Sequence, residues 1–163
     1  MLKACVVFDT RHGNTEKIAK SLQTGLTESG AKALCINARD VLIDSLKDFD
    51  LICVGAPTEW LTASKPMKEF LGRLKDASLA GKHGFAFDTK LDRPFSGSAA
   101  KFVEKELKNL DLQIVAARES ATVFLVNGRV GDAYLKEGEE QRFNQIGARI
   151  GRGLAAESVT VMA

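Results

Sequence analysis

The opening of the chain admits one kind of beginning. Ala4-Cys5-Val6-Val7-Phe8 is an unbroken apolar run, the pattern of a parallel strand covered on both faces. It passes directly into a polar turn, Asp9-Thr10-Arg11-His12-Gly13-Asn14-Thr15, after which Ile18, Ala19, Leu22 and Leu26 recur along one side of a helix. Asn14 or Thr15 caps that helix, and its free backbone N–H groups then point into the turn, where an anion gains from hydrogen bonds and the helix dipole. Gly13 lets the backbone approach closely. The turn reads as a phosphate cradle; the bland alternative is a solvated turn that binds nothing. It is neither a P-loop, whose G-x-x-x-x-G-K-[ST] lysine is missing, nor a G-x-G-x-x-G dinucleotide loop.

Strands and helices continue to alternate. Leu34-Cys35-Ile36 predicts a second strand, Val41, Leu42 and Leu46 a short helix, and Leu51-Ile52-Cys53-Val54-Gly55 a third strand. Pro66 opens a helix carrying Met67, Phe70, Leu71 and Leu74, and Gly84 to Phe87 make the fourth strand. A helix over 98–110 follows, then a fifth strand within 113–126 with a break near Arg118-Glu119-Ser120, and a last helix presenting Phe143, Ile146, Ile150 and Leu154. Beyond it, Val159, Val161 and Met162 alternate as in a short strand. Parallel strands need crossovers, so the expected fold is a doubly wound α/β domain over residues 1–163, with five parallel strands in the order 2-1-3-4-5 and helices on both faces. In such a sheet the loops after strands one, three and four converge on a ligand.

Composition narrows the class. With 163 residues, 45% apolar and 27% charged, the chain suits one globular domain. Its net charge of +2, with basic and acidic residues interleaved, gives no argument for nucleic acid. No run of eighteen apolar residues suggests a membrane span and no leader pattern is present, so the expected location is the cytoplasm. Cys5, Cys35 and Cys53 lie in apolar runs and read as buried reduced thiols. His12 and His83 are the only histidines, and no spacing suggests a metal site.

The loop after strand three, Gly55 to Pro66, contains the only tryptophan, Trp60, whose ring has no periodic core position to fill but would cover a flat aromatic ligand. The loop after strand four, Asp88 to Ser98, is long and carries Leu91 and Phe95 among polar residues, with Gly97 allowing close backbone approach. Taken together, Thr10-Arg11-His12-Gly13-Asn14-Thr15, Gly55-x-Pro57-Thr58 followed by Trp60, and Phe85 to Lys90 with Gly97-Ser98 resemble the three flavin loops of the flavodoxin family, a likeness spanning essentially the whole chain. The resemblance implies a bound flavin mononucleotide, FMN, with Thr10, Arg11, His12, Gly13, Asn14 and Thr15 around the phosphate. It further implies that Pro57, Thr58, Glu59, Trp60, Leu61, Asp88, Thr89, Lys90, Leu91, Phe95 and Gly97 enclose the ring.

That resemblance implies a redox flavoprotein exchanging electrons with protein partners. Two alternatives stand beside it: an FMN-dependent oxidoreductase acting on a quinone, porphyrinogen or other small molecule, with Glu59, Lys90, Asp92 and Arg93 as candidate lining residues, and a flavin-free interaction module. The chain departs from the family's carriers in three ways. It is not acidic, it lacks a tyrosine in the third loop, and Glu59-Trp60-Leu61-Thr62 contains no glycine, so left-handed backbone there carries a penalty of about 1 kcal/mol per residue. No long insertion is evident that would build a substrate pocket, which favours the carrier.

Overall fold

The computed structural model describes residues 1–128 and 131–162. Five principal strands lie parallel in the order β2-β1-β3-β5-β7: β1 (Lys3–Phe8), β2 (Lys32–Asn37), β3 (Leu51–Glu59), β5 (His83–Leu91) and β7 (Glu119–Leu125). This is the expected flavodoxin-like arrangement, with three short strands added. β4 (Thr62–Ala63) folds back antiparallel on β3, β6 (Gln113–Ile114) pairs with the start of β5, and β8 (Ala133–Leu135) extends the edge antiparallel to β7.

Each central strand buries both faces because the sheet is covered twice. Helices α1 (Asn14–Glu28) and α4 (Glu139–Met162) cover one side, where Val6, Phe8, Phe85 and Phe87 meet Ile18, Leu22, Phe143 and Ile150. Helices α2 (Lys65–Arg73) and α3 (Ala99–Asn109) cover the other, where Val7, Ile52 and Val54 meet Met67, Phe70, Val103 and Leu107. The α1–α4 pair is close enough that a Cβ at Gly25 or Gly147 would overlap the opposing backbone, at Asn144 and Leu22 respectively.

The local structure differs from the sequence expectation at three places. The helix expected from Val41 is a 3₁₀ turn over Ile43–Asp48, because only Leu46 of that segment is buried and one anchor does not sustain a longer helix. The fifth strand is interrupted at 115–118, earlier than expected, where the Glu104 carboxylate of α3 accepts the Arg118 backbone N–H at 3.3 Å and its guanidinium at 3.2 Å. The alternating tail is helical: α4 runs on to Met162, and the Ser158 and Thr160 hydroxyls bond back to the carbonyls of Leu154 and Ala156. Ala163 lies outside the described residues.

The start of α4 is pinned to β7 by Glu139, which accepts the Thr122 N–H at 2.7 Å and the Arg142 guanidinium at 2.9 Å, while Arg142 also reaches Glu119 at 2.8 Å. Burial pushes the Glu139 carboxyl upward, but the bonds from Arg142 and Thr122 and the charges of Arg142 and Lys136 outweigh it and hold it below its ordinary value. A lowered native value means stability fully present above the unfolded value, about 4.3, and lost as pH falls through the native one. The urea midpoint is therefore expected to fall more steeply between about pH 5 and pH 3 in the wild type than in Glu139→Gln; parallel curves would contradict this role.

Candidate functional site

The carboxyl ends of the strands carry a cleft of about 360 Å³, within the range of small-molecule sites. Its lining comes from four segments: Thr10, Arg11, His12, Asn14 and Thr15 after β1; Pro57, Thr58, Glu59 and Trp60 at the end of β3; Thr89, Lys90 and Leu91 of β5; and Val123, Leu125, Gly131 and Ala133 of the edge hairpin. Three segments are those expected from sequence. The last was missed.

At one end the cleft meets the N-terminus of α1. The N-cap is Gly13, at φ 86° and without a side-chain cap bond, rather than Asn14 or Thr15. A left-handed residue there suits glycine, and Asn14 and Thr15 become the first helical residues with their side chains engaged elsewhere. The Asn14 Nδ2 group donates to the Ala133 carbonyl at 2.8 Å, tying the turn to β8, and the Thr15 and Thr89 hydroxyls share a buried hydrogen bond of 2.8 Å. The first helical hydrogen bond is Lys17 N–H to the Gly13 carbonyl, so the N–H groups of Asn14, Thr15 and Glu16 precede it. Thr10 Oγ1 accepts the Gly13 N–H at 3.0 Å, which leaves its own proton to donate. The donor set fits a phosphate: backbone N–H groups at an uncapped helix start, a hydroxyl donor, and Arg11 and His12 beside them.

At the other end the cleft is apolar. Leu91, Val123, Leu125 and Ala133 line it, and Trp60 stands at its rim 94% exposed, an indole with its faces unpacked. A flat ring would cover apolar surface on both itself and the indole. The backbone that carries this side chain is left-handed at two consecutive non-glycine residues, Trp60 at φ 49° and Leu61 at φ 70°, so the loop adopts this geometry despite the penalty that the lack of glycine imposes. The two residues form the turn of the β3–β4 hairpin, closed by the Glu59–Thr62 pair, where positive φ at both positions is the usual geometry, and two further contacts brace it. Arg11 pairs with Glu59 at 3.5 Å across the mouth, and Leu61 forms a parallel bridge with Gly97, itself at φ 72°.

Five residues expected at the cofactor do not line the cleft: Gly13, Leu61, Asp88, Phe95 and Gly97. Gly13 acts through its backbone and Leu61 and Gly97 brace each other. Phe95 is 95% exposed. Asp88 is fully buried beneath the loops, where its Oδ2 accepts from Ser98 Oγ at 2.8 Å, the Ala100 N–H at 2.9 Å and Thr58 Oγ1 at 3.3 Å. Thr58 Oγ1 in turn accepts the Ala99 N–H at 3.0 Å. Asp9 plays a related part after β1, accepting Ser64 Oγ at 2.6 Å ahead of α2. Asp92 and Arg93 also lie outside the lining, and Tyr134, on β8, packs against Phe124 with ring centres 5.7 Å apart.

The edge hairpin is the wall of the cleft that the sequence reading passed over. Its signal was Asn127-Gly128, a pair that favours positive φ in tight turns; here they adopt φ 52° and 69°. The three cysteines are free, and burial is the main force pushing their thiols up, Cys5 to about 12 and Cys35 to about 11, with Cys53 fully enclosed. They are not nucleophiles at neutral pH. Among the described residues no cluster of His, Cys, Asp or Glu is placed to hold a metal ion, and no helix is long and apolar enough to cross a membrane.

Comparison with known proteins places this geometry in context. Residues 5–130 match the family model described as a flavodoxin domain. A flavodoxin of Clostridium saccharobutylicum is 30% identical over 91 residues, covering 54% of this chain and 56% of that one, so the match spans little more than half the length of that relative. An NAD(P)H dehydrogenase (quinone) of Archaeoglobus fulgidus is 30% identical over 129 residues, covering 61% and 67%. Among solved structures, a flavodoxin from the domain Archaea superposes with a TM-score of 0.78 at 22% identity over 94% of this chain and 99% of the other.

Proposed function

The chain belongs to the flavodoxin domain family, and from that premise we propose that it binds FMN without a covalent bond and passes electrons between protein partners in the cytoplasm. The observation that carries the reading is a single cleft that combines an uncapped helix start behind a left-handed glycine with an exposed indole and apolar lining from Leu91, Val123 and Leu125. FMN supplies the redox chemistry when bound, and the protein supplies placement and environment.

The residues divide that work. The Asn14, Thr15 and Glu16 N–H groups and the Thr10 hydroxyl hold the phosphate, and Arg11 adds charge. Trp60 and Leu91 cover the ring and keep water from it, and Val123 and Leu125 close the edge-strand side. The Thr15–Thr89 and Asn14–Ala133 bonds fix the phosphate end against the ring end, so the two halves of the ligand meet a preset spacing. Free thiols at Cys5, Cys35 and Cys53 suit a reducing compartment.

Titration with FMN tests the reading through the fluorescence of Trp60, the chain's one tryptophan. Saturating quenching at one flavin per chain is expected. Riboflavin, which lacks the phosphate, should bind at least about tenfold more weakly, the loss of roughly one charge-assisted hydrogen bond. Absence of quenching and of a bound-flavin spectrum would refute the proposal, and equal affinity for riboflavin would refute the assignment of the α1 end.

A second reading is two-electron reduction of a flat small molecule such as a quinone. The edge hairpin favours it, since Gly131 and Ala133 give the cleft an additional wall. Quinone-dependent oxidation of NAD(P)H by the FMN-loaded protein would select this reading over carriage.

A further inference from the structure

Around the mouth of the cleft the surface has an arrangement of which the proposed FMN binding uses only Trp60. Trp60, Leu61 and Phe95 are 94%, 64% and 95% exposed, and the Leu61–Gly97 bridge brings their two loops together. Directly beside them begin α2 and α3, on the same face of the sheet and joined by Lys68, whose ammonium lies 5.2 Å from the centre of the Phe102 ring. In the first two turns of these helices Lys65 and Lys68 on α2 and Lys101 and Lys105 on α3 are exposed. Among the described residues these four make no ion pair. Glu69 and Asp92 are the exposed carboxylates alongside, Arg93 adds a further cation, and Glu59 is taken by Arg11.

Two of these lysines, Lys65 and Lys101, stand where helix energetics disfavour them. A helix N-terminus carries partial positive charge and prefers acidic residues in its first turn. α1 has Glu16 there and α4 has Glu139 and Glu140, whereas α2 and α3 have none and open with Lys65 and Lys101. The unfavourable placement is confined to the two helices flanking the exposed apolar group. An apolar centre with a charged rim is the anatomy of a protein interface, and a basic rim selects an acidic partner and accelerates its approach.

We propose that the face formed by Trp60, Leu61 and Phe95 with Lys65, Lys68, Lys101 and Lys105 docks an acidic redox protein whose own contact surface has an apolar centre. This rests on the electron-exchange reading above and names the chemistry of the partner. It is the opposite polarity to the acidic carriers that the chain otherwise resembles.

The test uses the full chain labelled with ¹⁵N, with and without FMN, titrated with a small acidic ferredoxin as probe and with basic cytochrome c as its counterpart. Expected are perturbed signals concentrated at Leu61, Lys65, Gly97, Lys101 and Lys105 with ferredoxin. The affinity should weaken about tenfold or more between low and 300 mM salt, and again in the variant K65E/K101E/K105E. That variant should bind FMN like the wild type and melt no lower, since a carboxylate in the first turn of α2 and of α3 suits the positive end of each helix dipole. Salt-independent ferredoxin binding, an unchanged affinity in the reversed variant, perturbation elsewhere, or tighter binding of cytochrome c would each overturn the proposal. So would an oligo(dT) strand that outcompetes ferredoxin at the same lysines. Because the flavin-free chain is titrated too, failure to take up FMN would refute the proposed function and leave the docking result to be read separately.

Discussion

Asp88→Ala is expected to destabilise the protein by about 3–5 kcal/mol, the range for removing one member of a buried hydrogen-bonded charged network. The carboxylate is fully buried, and one of its oxygens collects three donors from two segments: Ser98 Oγ and the Ala100 N–H at the start of α3, and the Thr58 hydroxyl at the end of β3. Alanine leaves those donors without an acceptor in a place water does not reach, and each stranded donor costs about 1–3 kcal/mol. Asp88→Asn separates geometry from charge. Its amide oxygen can replace Oδ2, while its NH₂ would occupy the Oδ1 position, which is buried without a partner. Asparagine restores the acceptor but strands its own NH₂ donors, so it should recover only part of the loss. Urea unfolding of the two variants against wild type measures both effects, and a loss under about 1 kcal/mol in Asp88→Ala would show that the network carries little.

The same residue shows where sequence reading stops. Asp88 sits in a loop that the flavodoxin likeness assigns to the flavin, and nothing in Phe87-Asp88-Thr89 says which way a side chain points at the end of a strand. In the structure Ala56 and Asp88 are register partners, so Asp88 shares the α2/α3 face with Ala56 and turns inward. Its neighbour Thr89 faces the opposite way, onto Thr15. Strand order and helix faces were legible, because unbroken apolar runs and i, i+3, i+4, i+7 spacing are consequences of burial that each segment carries within itself. The three-loop cleft was legible for the same reason, since strand order fixes which loops converge. What was not legible depends on partners distant in sequence. Asn14 looks like a cap until Ala133 is known to lie 2.8 Å away, and nothing near Leu61 in the sequence shows that Gly97 lies beside it.

The Trp60 loop is a strained turn. Two consecutive non-glycine residues at positive φ cost about 1–2 kcal/mol each, and such geometry persists only where neighbours over-determine it. Here the neighbours are the Glu59–Thr62 pair of the β3–β4 hairpin, whose two-residue turn takes positive φ at both positions, the Arg11 partner of Glu59, and Gly97, whose missing side chain admits the Leu61 backbone. The indole is thus presented by the hairpin turn itself, and the β5–α3 connection braces that turn from outside through Gly97.

Gly97→Val is accordingly expected to weaken FMN binding by about tenfold to a hundredfold, roughly 1.4–2.8 kcal/mol, while the core stays folded. A Cβ at Gly97 would overlap the Leu61 backbone, and φ 72° is costly for a β-branched residue, so valine has no low-energy way to keep the bridge. One loop must withdraw. Leu61 is released from the conformation that places Trp60 at the rim, and the indole loses its fixed position over the ring end of the cleft. The phosphate end, built from α1 and Thr10, lies outside this contact and keeps its affinity for anions. Riboflavin separates the two effects: its binding should fall by the same factor as that of FMN, because both lose the same cover and neither gains a phosphate contact. Fluorescence titration of wild type and variant with both ligands, beside a thermal melt, decides the matter. An FMN affinity within a factor of two of wild type, with Tm lowered by the substitution, would mean that Gly97 serves stability alone and that Trp60 is placed by its own segment.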